Sequence, residues 1–225
     1  MDFEILTGRI KNDLVDYKGN LLHKDLIPSL KKLEKMALTE IGAKISIVSS
    51  YRDFERQRLI WNDKAMGKRD LYNKAGTAIN YNSISENELL NTIMFWSAIP
   101  GTSRHHWGTD FDIYDASKVN RSDVQLTHSE CDMGGPFFEL HTWLSEKIES
   151  NQSFNFFRPY DKDRGGVQIE KWHLSYSPVS SICYKNYSLD TFRKNINLAD
   201  IKLKALILER SEEIYNKYLI NVGKA

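Results

Sequence analysis

Histidines and aspartates crowd around a glycine near the middle of the chain, in the segment Ser103-Arg104-His105-His106-Trp107-Gly108-Thr109-Asp110-Phe111-Asp112. Imidazole nitrogens and carboxylate oxygens are common zinc ligands, and a set of three protein ligands leaves one coordination position open for water. The segment therefore indicates a candidate zinc site. The residue types alone leave open whether His105 or His106, and Asp110 or Asp112, would bind the metal.

A second group of polar residues lies later in the chain, in the tetrapeptide Glu170-Lys171-Trp172-His173. The surrounding stretch is predicted to be extended, and successive side chains of a strand point to opposite faces. Glu170 and His173 would therefore face away from each other in a regular strand. A site that uses both residues requires a bend or a bulge at this point.

A third group lies where a predicted strand turns into a predicted helix, in Ser50-Tyr51-Arg52-Asp53-Phe54-Glu55-Arg56-Gln57. The guanidinium of Arg52 presents paired N–H groups that can hold a carboxylate bidentately. Arg52 beside Asp53 also fits a surface ion pair of little energetic value. Each of the three groups taken alone fits an ordinary surface or capping role, and their joint presence is what favours a functional site.

The elements that must position these groups follow from hydrophobic spacing and from capping residues. Helices are predicted at about 25–41, 53–66, 85–96, 136–148 and 200–219, and extended segments at about 43–49, 108–115, 154–160 and 167–176. Short strands interspersed with helices predict an α+β fold.

The composition excludes several classes of function. The chain has 225 residues, 41% of them hydrophobic, and a formal net charge of +1. That balance offers no basic surface for nucleic acid or for an anionic membrane, so we expect neither as a partner. The apolar runs are too short to span a bilayer, and no secretory signal is recognisable. We therefore expect a cytoplasmic location, or a periplasmic one if a leader peptide has been removed.

All three groups resemble motifs of one family, the VanY-type D-alanyl-D-alanine carboxypeptidases, which are zinc peptidases of the lysostaphin/D-Ala-D-Ala peptidase/hedgehog superfamily. The segment Pro100–Asp112 resembles the family signature P-G-x-S-x-H-x-x-G-x-A-x-D. Glu170–Tyr176 resembles E-P-W-H-x-R-Y, and Ser50–Gln57 resembles S-G-Y-R-S-x-x-x-Q. The motifs occur in family order, and the resemblance extends roughly from Ile45 to Tyr176.

The resemblance implies one zinc ion per chain, bound by His105, Asp112 and His173. It implies that Glu170 is the general base and that Arg52 is a catalytic residue that helps to grip the substrate and to polarise its carbonyl. The resemblance also implies an α+β fold in which a small antiparallel sheet carries the zinc site and is flanked by helices, with an extra C-terminal helix.

Further residues are implied to bind the substrate. Gln57 and Ser103 match positions that line the pocket for the terminal carboxylate, where Arg52 also contributes. Trp172 and Tyr176 are expected at the walls of the cleft, although Trp172 fits packing beneath the zinc equally well.

The chain departs from the family pattern at a few positions. Asp110 stands where the family usually has Ala, Lys171 replaces the usual Pro, and Ser175 replaces the usual Arg. His106 falls on a variable position, which favours His105 as the ligand. An additional acid two residues from a ligand would either tune the zinc or only contact solvent.

The resemblance implies a single zinc carboxypeptidase domain over residues 1–225, with a family-like core of about 25–180 and a helical extension of about 185–225. The implied activity removes the C-terminal D-alanine from peptidoglycan stem peptides. We favour an L,D-carboxypeptidase that acts on tetrapeptides in murein recycling, because a cytoplasmic D,D-enzyme would consume the cell's own pentapeptide precursors. The alternatives are a D,D-carboxypeptidase on pentapeptides and a peptidoglycan endopeptidase. A non-catalytic zinc-binding module is the least favoured, and the oligomeric state stays open.

Overall fold

The computed structural model describes residues 1–224. The helices of this part of the chain are α1 Phe3–Leu6, α2 Ile27–Ile41, α3 Phe54–Ala65, α4 Glu86–Trp96, α5 His128–Cys131, α6 Phe138–Glu149, α7 Ser177–Asn186, α8 Leu189–Leu198, α9 Lys204–Glu209 and α10 Ser211–Ile214. The strands are β1 Leu14–Tyr17, β2 Asn20–His23, β3 Ile45–Ser49, β4 Leu71–Tyr72, β5 Ala78–Ile79, β6 Asp110–Asp115, β7 Phe156–Phe157 and β8 His173–Tyr176.

The central element is a four-stranded antiparallel sheet with the strand order β3-β6-β8-β7. The register places Asp112 of β6 opposite His173 of β8 and opposite Ser49 of β3. All side chains of β6 and β8 are buried. The predicted α+β class with a small antiparallel sheet and flanking helices is confirmed.

Helix α2 shows why the hydrophobic spacing predicted a helix there. Its buried side chains Leu30, Leu33 and Ala37 share one face, which packs with α6 and the sheet in one hydrophobic cluster. Gly42 ends the helix with a φ of +68°, a left-handed conformation that glycine adopts without steric penalty. The chain then enters β3 at Ile45, two residues later than predicted.

Helices α3 and α4 begin directly after capping residues, which stand at the predicted starts 53 and 85. The carboxylate of Asp53 accepts a hydrogen bond from the backbone N–H of Arg56 at the start of α3. Ser85 and Glu88 form a capping box at the start of α4, in which each side chain accepts from the other residue's backbone N–H. These caps fix where α3 and α4 begin.

The C-terminal segment differs from its prediction as one continuous helix over 200–219. It consists of α9, α10 and a π-helical turn at Tyr215–Leu219. Leu203 has a left-handed conformation with a φ of +63°, which delays the helix start to Lys204. The extended segments predicted at 154–160 and 167–176 are also shorter in the structure, where only β7 and β8 form.

Residues Leu14–Tyr17 and Asn20–His23 form a hairpin that the sequence analysis did not predict. Its turn residues Lys18 and Gly19 both have positive φ values, 54° and 78°, as type I′ turns require. The hairpin packs against the segment that carries His105, because the backbone N–H of His23 donates to the carbonyl of Gly108 at 2.8 Å. Within residues 1–224, none of the helices is long and apolar enough to cross a bilayer.

Candidate active site

A short turn places His105 close to strand β6. Ser103 precedes a 3-10 helix over Arg104–Trp107, and Gly108 ends it with a φ of +68°. A Cβ atom at Gly108 would press on Leu14 Cδ2 and on the backbone of His23 in the hairpin, and together with the positive φ this favours glycine. The chain reverses at this glycine and enters β6, which brings Asp112 back beside His105.

The structure brings His105, Asp112 and His173 together. One possible ligand atom from each residue lies within 4.8 Å of the others. His105 Nε2 is 3.5 Å from Asp112 Oδ2, and His173 Nδ1 is 3.1 Å from Asp112 Oδ1. The two imidazole rings meet edge to face with their centres 4.9 Å apart. All three residues are buried.

A backbone contact orients the ring of His105. Its Nδ1 lies 2.9 Å from the carbonyl oxygen of Ser50, which can only accept a hydrogen bond, so Nδ1 carries the proton. The lone pair on Nε2 then faces Asp112. Burial lowers the pKa of His105 to about 4, which keeps the ring neutral and able to bind a metal.

The neighbouring His106 points away from this group and holds the backbone instead. Its Nδ1 donates to the carbonyl of Arg52 at 2.6 Å, and its Nε2 accepts from the backbone N–H of Gly101 at 3.0 Å. Burial lowers the pKa of His106 to about 3, so the ring is neutral. His106 therefore connects the turn at Gly101 to the segment that carries Arg52.

The bend that the sequence analysis required is present between Glu170 and His173. The backbone N–H of His173 donates to the carbonyl of Glu170 at 3.1 Å, and β8 begins only at His173. The backbone N–H of Glu170 donates to the backbone carbonyl of Tyr160 at 3.0 Å. As a result, Glu170 Oε2 lies 3.5 Å from His173 Nδ1.

Glu170 is the one carboxylate of the group that is partly accessible, with 15% of its side-chain area exposed. Burial raises the pKa of Glu170 to about 7, and the charge of Asp112 adds to the rise, while His173 and Arg52 oppose it. A carboxyl group with a pKa near neutrality can both take up and release a proton at physiological pH.

Arg52 is held close to these carboxylates. Its Nη1 donates to Gln57 Oε1 at 2.7 Å, and its Nη2 donates to Ser49 Oγ at 3.1 Å. Gln57 is itself anchored, because its Nε2 donates to the carbonyl of Ala98 at 2.7 Å. Burial lowers the pKa of Arg52, and the charges of Asp112 and Glu170 partly offset that effect.

Lys64 is a second cation near this site that the sequence analysis missed. It lies seven residues after Gln57, on the same face of α3, and its Nζ donates to Ser97 Oγ at 2.6 Å. Burial lowers the pKa of Lys64 to about 8, and the cations Arg69 and Arg52 lower it further, while Glu170 opposes the shift. The helical spacing from Gln57 was the signal that could have identified it.

Asp110 lies on the far side of His173 from Asp112. Its Oδ1 is 3.1 Å from His173 Nε2 and accepts from Arg104 Nε at 2.7 Å, and its Oδ2 accepts from Thr109 Oγ1 at 2.7 Å. Burial would raise the pKa of Asp110, but Arg104 and the hydrogen bond from His173 outweigh burial and lower the pKa to about 2. The sequence analysis missed the part played by Arg104.

The remaining predicted substrate-binding residues are all largely buried. Ser103 lies directly before the 3-10 turn, its side chain makes no capping hydrogen bond there, and it is 3% exposed. Trp172 packs with Tyr114, Cys131 and Phe137 in one apolar cluster, and Tyr176 packs in another. Contact of these three residues with substrate stays a prediction.

The donor set fits zinc. Two buried imidazoles and one carboxylate match the ligand types of catalytic zinc sites, which leave a further coordination position free. The ring nitrogen of His105 that does not face Asp112 is satisfied by a backbone carbonyl, as expected for a metal-ligating histidine.

Comparison with protein families supports the same interpretation. The family model described as VanY, D-alanyl-D-alanine carboxypeptidase, matches residues 19–179, which include every residue of the group described above. An uncharacterized protein of Haemophilus influenzae is 30% identical over 125 residues, which cover 54% of this chain and 93% of that protein.

Two solved structures share the fold. A vancomycin resistance D,D-pentapeptidase VanY, crystallised as a glutamate-to-alanine variant in complex with Zn(II), is 25% identical with a TM-score of 0.52, covering 79% of this chain and 84% of that one. The LD-carboxypeptidase LdcB is 19% identical with a TM-score of 0.53, covering 96% of this chain and 80% of that one.

Proposed function

This chain belongs to the VanY family of D-alanyl-D-alanine carboxypeptidases, and from that premise we propose that it removes the C-terminal D-alanine from peptidoglycan stem peptides with the help of one zinc ion. The observation that carries the proposal is the convergence of two imidazoles and a carboxylate at His105, Asp112 and His173, with Glu170 and Arg52 beside them.

We propose that His105 Nε2, a carboxylate oxygen of Asp112 and His173 Nδ1 hold the zinc. When bound, zinc acts as a Lewis acid that lowers the pKa of a coordinated water and polarises a carbonyl oxygen. The distances of 3.5 Å and 3.1 Å from Asp112 to the two histidine nitrogens support this choice of atoms.

Glu170 is the proposed proton carrier. Its partly exposed carboxylate takes the proton from the attacking water and then donates it to the amine of the leaving D-alanine. A pKa of about 7 supports both roles, because the group loses and regains a proton with little cost at neutral pH. The turn between Glu170 and His173 keeps the carboxylate beside the reacting atoms.

Arg52 is the proposed anchor for the substrate's carboxylate or carbonyl oxygen. Its guanidinium donates to Gln57 and Ser49, which fixes its plane before substrate arrives. An oxyanion that develops during the reaction would be stabilised by this positioned cation. Gln57 and Ser103 are proposed to complete the pocket for the terminal carboxylate, with Trp172 and Tyr176 at its walls.

Within this activity we favour the L,D-specific reaction on tetrapeptides, carried out in the cytoplasm. Cys131 and Cys183 are buried free thiols, the form that a reducing compartment maintains. In the cytoplasm a D,D-enzyme would consume the cell's own pentapeptide precursors, whereas an L,D-enzyme would trim tetrapeptides recovered from wall turnover. The D,D-reaction on pentapeptides is the alternative.

The deciding experiment incubates the zinc-loaded protein with matched tetrapeptide and pentapeptide muropeptides and identifies the products by mass. Release of alanine from the tetrapeptide alone supports the L,D-reaction, and release from the pentapeptide alone supports the D,D-reaction. A cut inside the stem peptide would identify an endopeptidase. The Glu170→Gln variant is the matched control, and equal release by that variant would contradict the proposed mechanism.

A further inference from the structure

His173 lies between two carboxylates. Asp112 Oδ1 is 3.1 Å from its Nδ1, and Asp110 Oδ1 is 3.1 Å from its Nε2. The two aspartates are separated by one residue on β6, so their side chains point to the same face of that strand. The sheet register sets His173 directly opposite Asp112. Both ring nitrogens of His173 therefore have a fixed partner.

We propose that Asp110 is a positioning residue for the zinc centre, which orients His173 by accepting a hydrogen bond from its Nε2–H and so leaves Nδ1 as the metal-binding nitrogen. This inference rests on the proposed zinc site. A carboxylate can only accept at that distance, so the Nε2 proton stays on the imidazole. An acceptor on the distal N–H restrains the ring and makes the other nitrogen a stronger ligand.

Asp110 is itself held in place. It is completely buried, and its charge is paired with the buried guanidinium of Arg104, whose Nε donates to Oδ1 at 2.7 Å. The hydroxyl of Thr109 donates to the other oxygen at 2.7 Å. Both oxygens are thus hydrogen-bonded, and a carboxylate fixed in this way aligns the imidazole more strictly than a mobile one.

The network continues beyond Arg104. Arg104 Nη2 donates to Ser175 Oγ at 2.7 Å, and Ser175 Oγ donates to Ser180 Oγ at 2.9 Å. Asp110 and Ser175 are two of the positions at which the chain departs from the family pattern, and the register pairs them across β6 and β8. The two departures therefore belong to one buried unit centred on Arg104.

A purely structural role for Asp110 makes a different prediction. A buried ion pair with Arg104 would stabilise the fold without altering the affinity for zinc, whereas a positioning role alters that affinity directly. The loss of an outer hydrogen-bond partner of a metal ligand typically weakens metal binding by about 10–100-fold. Zinc affinity and fold stability must therefore be measured separately.

The test compares Asp110→Ala, Asp110→Asn and Thr109→Val by chelator competition for zinc and by thermal unfolding of the metal-free proteins. We expect Asp110→Ala to raise the zinc dissociation constant about 10–100-fold. Asp110→Asn should raise the zinc dissociation constant less, because the amide oxygen of the asparagine can still accept the hydrogen bond from His173. Thr109→Val should raise the zinc dissociation constant less than Asp110→Ala does, because it removes only one of the hydrogen bonds that hold the Asp110 carboxylate. Unchanged affinity in Asp110→Ala would overturn the proposal.

A second measurement does not depend on any variant folding. Nitrogen-15 NMR of the zinc-loaded wild-type protein reports which ring nitrogen of each histidine carries the proton. We expect His173 to be protonated at Nε2 and His105 at Nδ1. Coordination of zinc through Nε2 of His173 would overturn the proposal. Normal zinc binding without release of D-alanine would instead count against the proposed function alone.

Discussion

The carboxylate of Glu170 lies 3.5 Å from Nδ1 of His173, although the two residues are only three positions apart and the second begins a strand. A regular strand would send these side chains to opposite faces. The hydrogen bond from the His173 N–H to the Glu170 carbonyl closes a turn that removes this conflict. The proposed proton carrier and a proposed metal ligand therefore share one local turn.

Replacing Glu170 tests that arrangement. Glu170→Gln should lower kcat by about 10²–10⁴-fold, because the amide has no carboxylate to take up the proton. Zinc content should stay at that of the wild-type protein, since Glu170 is not in the proposed ligand set. Turnover assays and metal analysis of the same preparation check both statements. Near-normal turnover would show that Glu170 does not transfer the proton. A loss of zinc would indicate that Glu170 is a zinc ligand.

The proposed ligands should behave differently from Glu170. His105→Ala and His173→Ala should each lower the zinc content of the purified protein and abolish activity, because two ligands bind zinc much more weakly than three. The control is His23→Asn. His23 is also a buried histidine, but it lies outside the proposed ligand set, and its Nδ1 accepts from the Asp25 N–H at the start of a 3-10 turn. This variant should retain full zinc content. Unchanged metal stoichiometry in His173→Ala would contradict the assignment.

Arg52 should affect both binding and turnover. Arg52→Lys keeps the charge but loses the fork that donates to Gln57 and Ser49, so we expect kcat/KM to fall by about 10²–10³-fold, as for the loss of one oxyanion donor. Arg56→Lys, four residues later and exposed, is the matched control and should be close to wild type. If kcat/KM is the same for both variants, the geometry of the Arg52 guanidinium is irrelevant to catalysis.

Lys64 carries a pH-dependent contribution to stability. Burial lowers its pKa to about 8, below the value of 10.5 for an exposed lysine, so the unfolded chain binds this proton more tightly than the folded protein. Wild-type stability should therefore gain from the deprotonation of Lys64 as the pH rises from about 8 to above 10.5. Lys64→Met lacks this gain.

The measurement is urea unfolding of the wild-type protein and of Lys64→Met between pH 7 and pH 11. We expect the stability of Lys64→Met relative to wild type to decline steadily as the pH rises. Lys68→Met, which removes an exposed charge beyond the end of α3, is the matched control. A difference in unfolding free energy between Lys64→Met and the wild-type protein that stays constant with pH would show that Lys64 has the same pKa in the folded and unfolded states.

The sequence was sufficient to predict the fold class and the group of residues that the structure brings together. The motifs around Arg52, His105 and Glu170 converge because β3, β6 and β8 are neighbours in one sheet. The choice between His105 and His106 could not be made from residue types alone. It depends on which ring the 3-10 turn directs toward Asp112, and that follows from backbone contacts at Ser50 and Arg52.

Other features left weaker signals in the sequence. The hairpin over 14–23 has short strands whose alternation is incomplete, and it forms because it packs on the turn at Gly108. The ion pair between Arg104 and Asp110 cannot be predicted from the sequence, because it forms only when the chain reverses at Gly108. The C-terminal helix starts late because Leu203 has a left-handed conformation, which its residue type does not signal, and the helix is interrupted further on at Arg210, between α9 and α10.

The C-terminal helices hold the turn that leads into the candidate metal site. Asn195 of α8 is fully buried, donates from Nδ2 to the carbonyl of Pro100 at 2.7 Å, and accepts from Arg9 Nη1 at 2.8 Å. The hydroxyl of Tyr187 donates to the carbonyl of Gly101 at 2.7 Å. Gly101 has a φ of +84°, and a Cβ there would collide with Asn195.

Asn195→Ala should therefore lower the free energy of unfolding by about 1–3 kcal/mol, because it leaves the buried carbonyl of Pro100 and the partly buried guanidinium of Arg9 without this partner. Asn197→Ala is the matched control, since Asn197 is exposed on the same helix and its side chain donates to the carbonyl of Arg193 in the preceding turn. Urea unfolding followed by tryptophan fluorescence measures both variants. Equal stabilities would show that α8 covers the core without supporting the turn at Pro100 and Gly101, and the position of His105 would then depend on the hairpin and β6 alone.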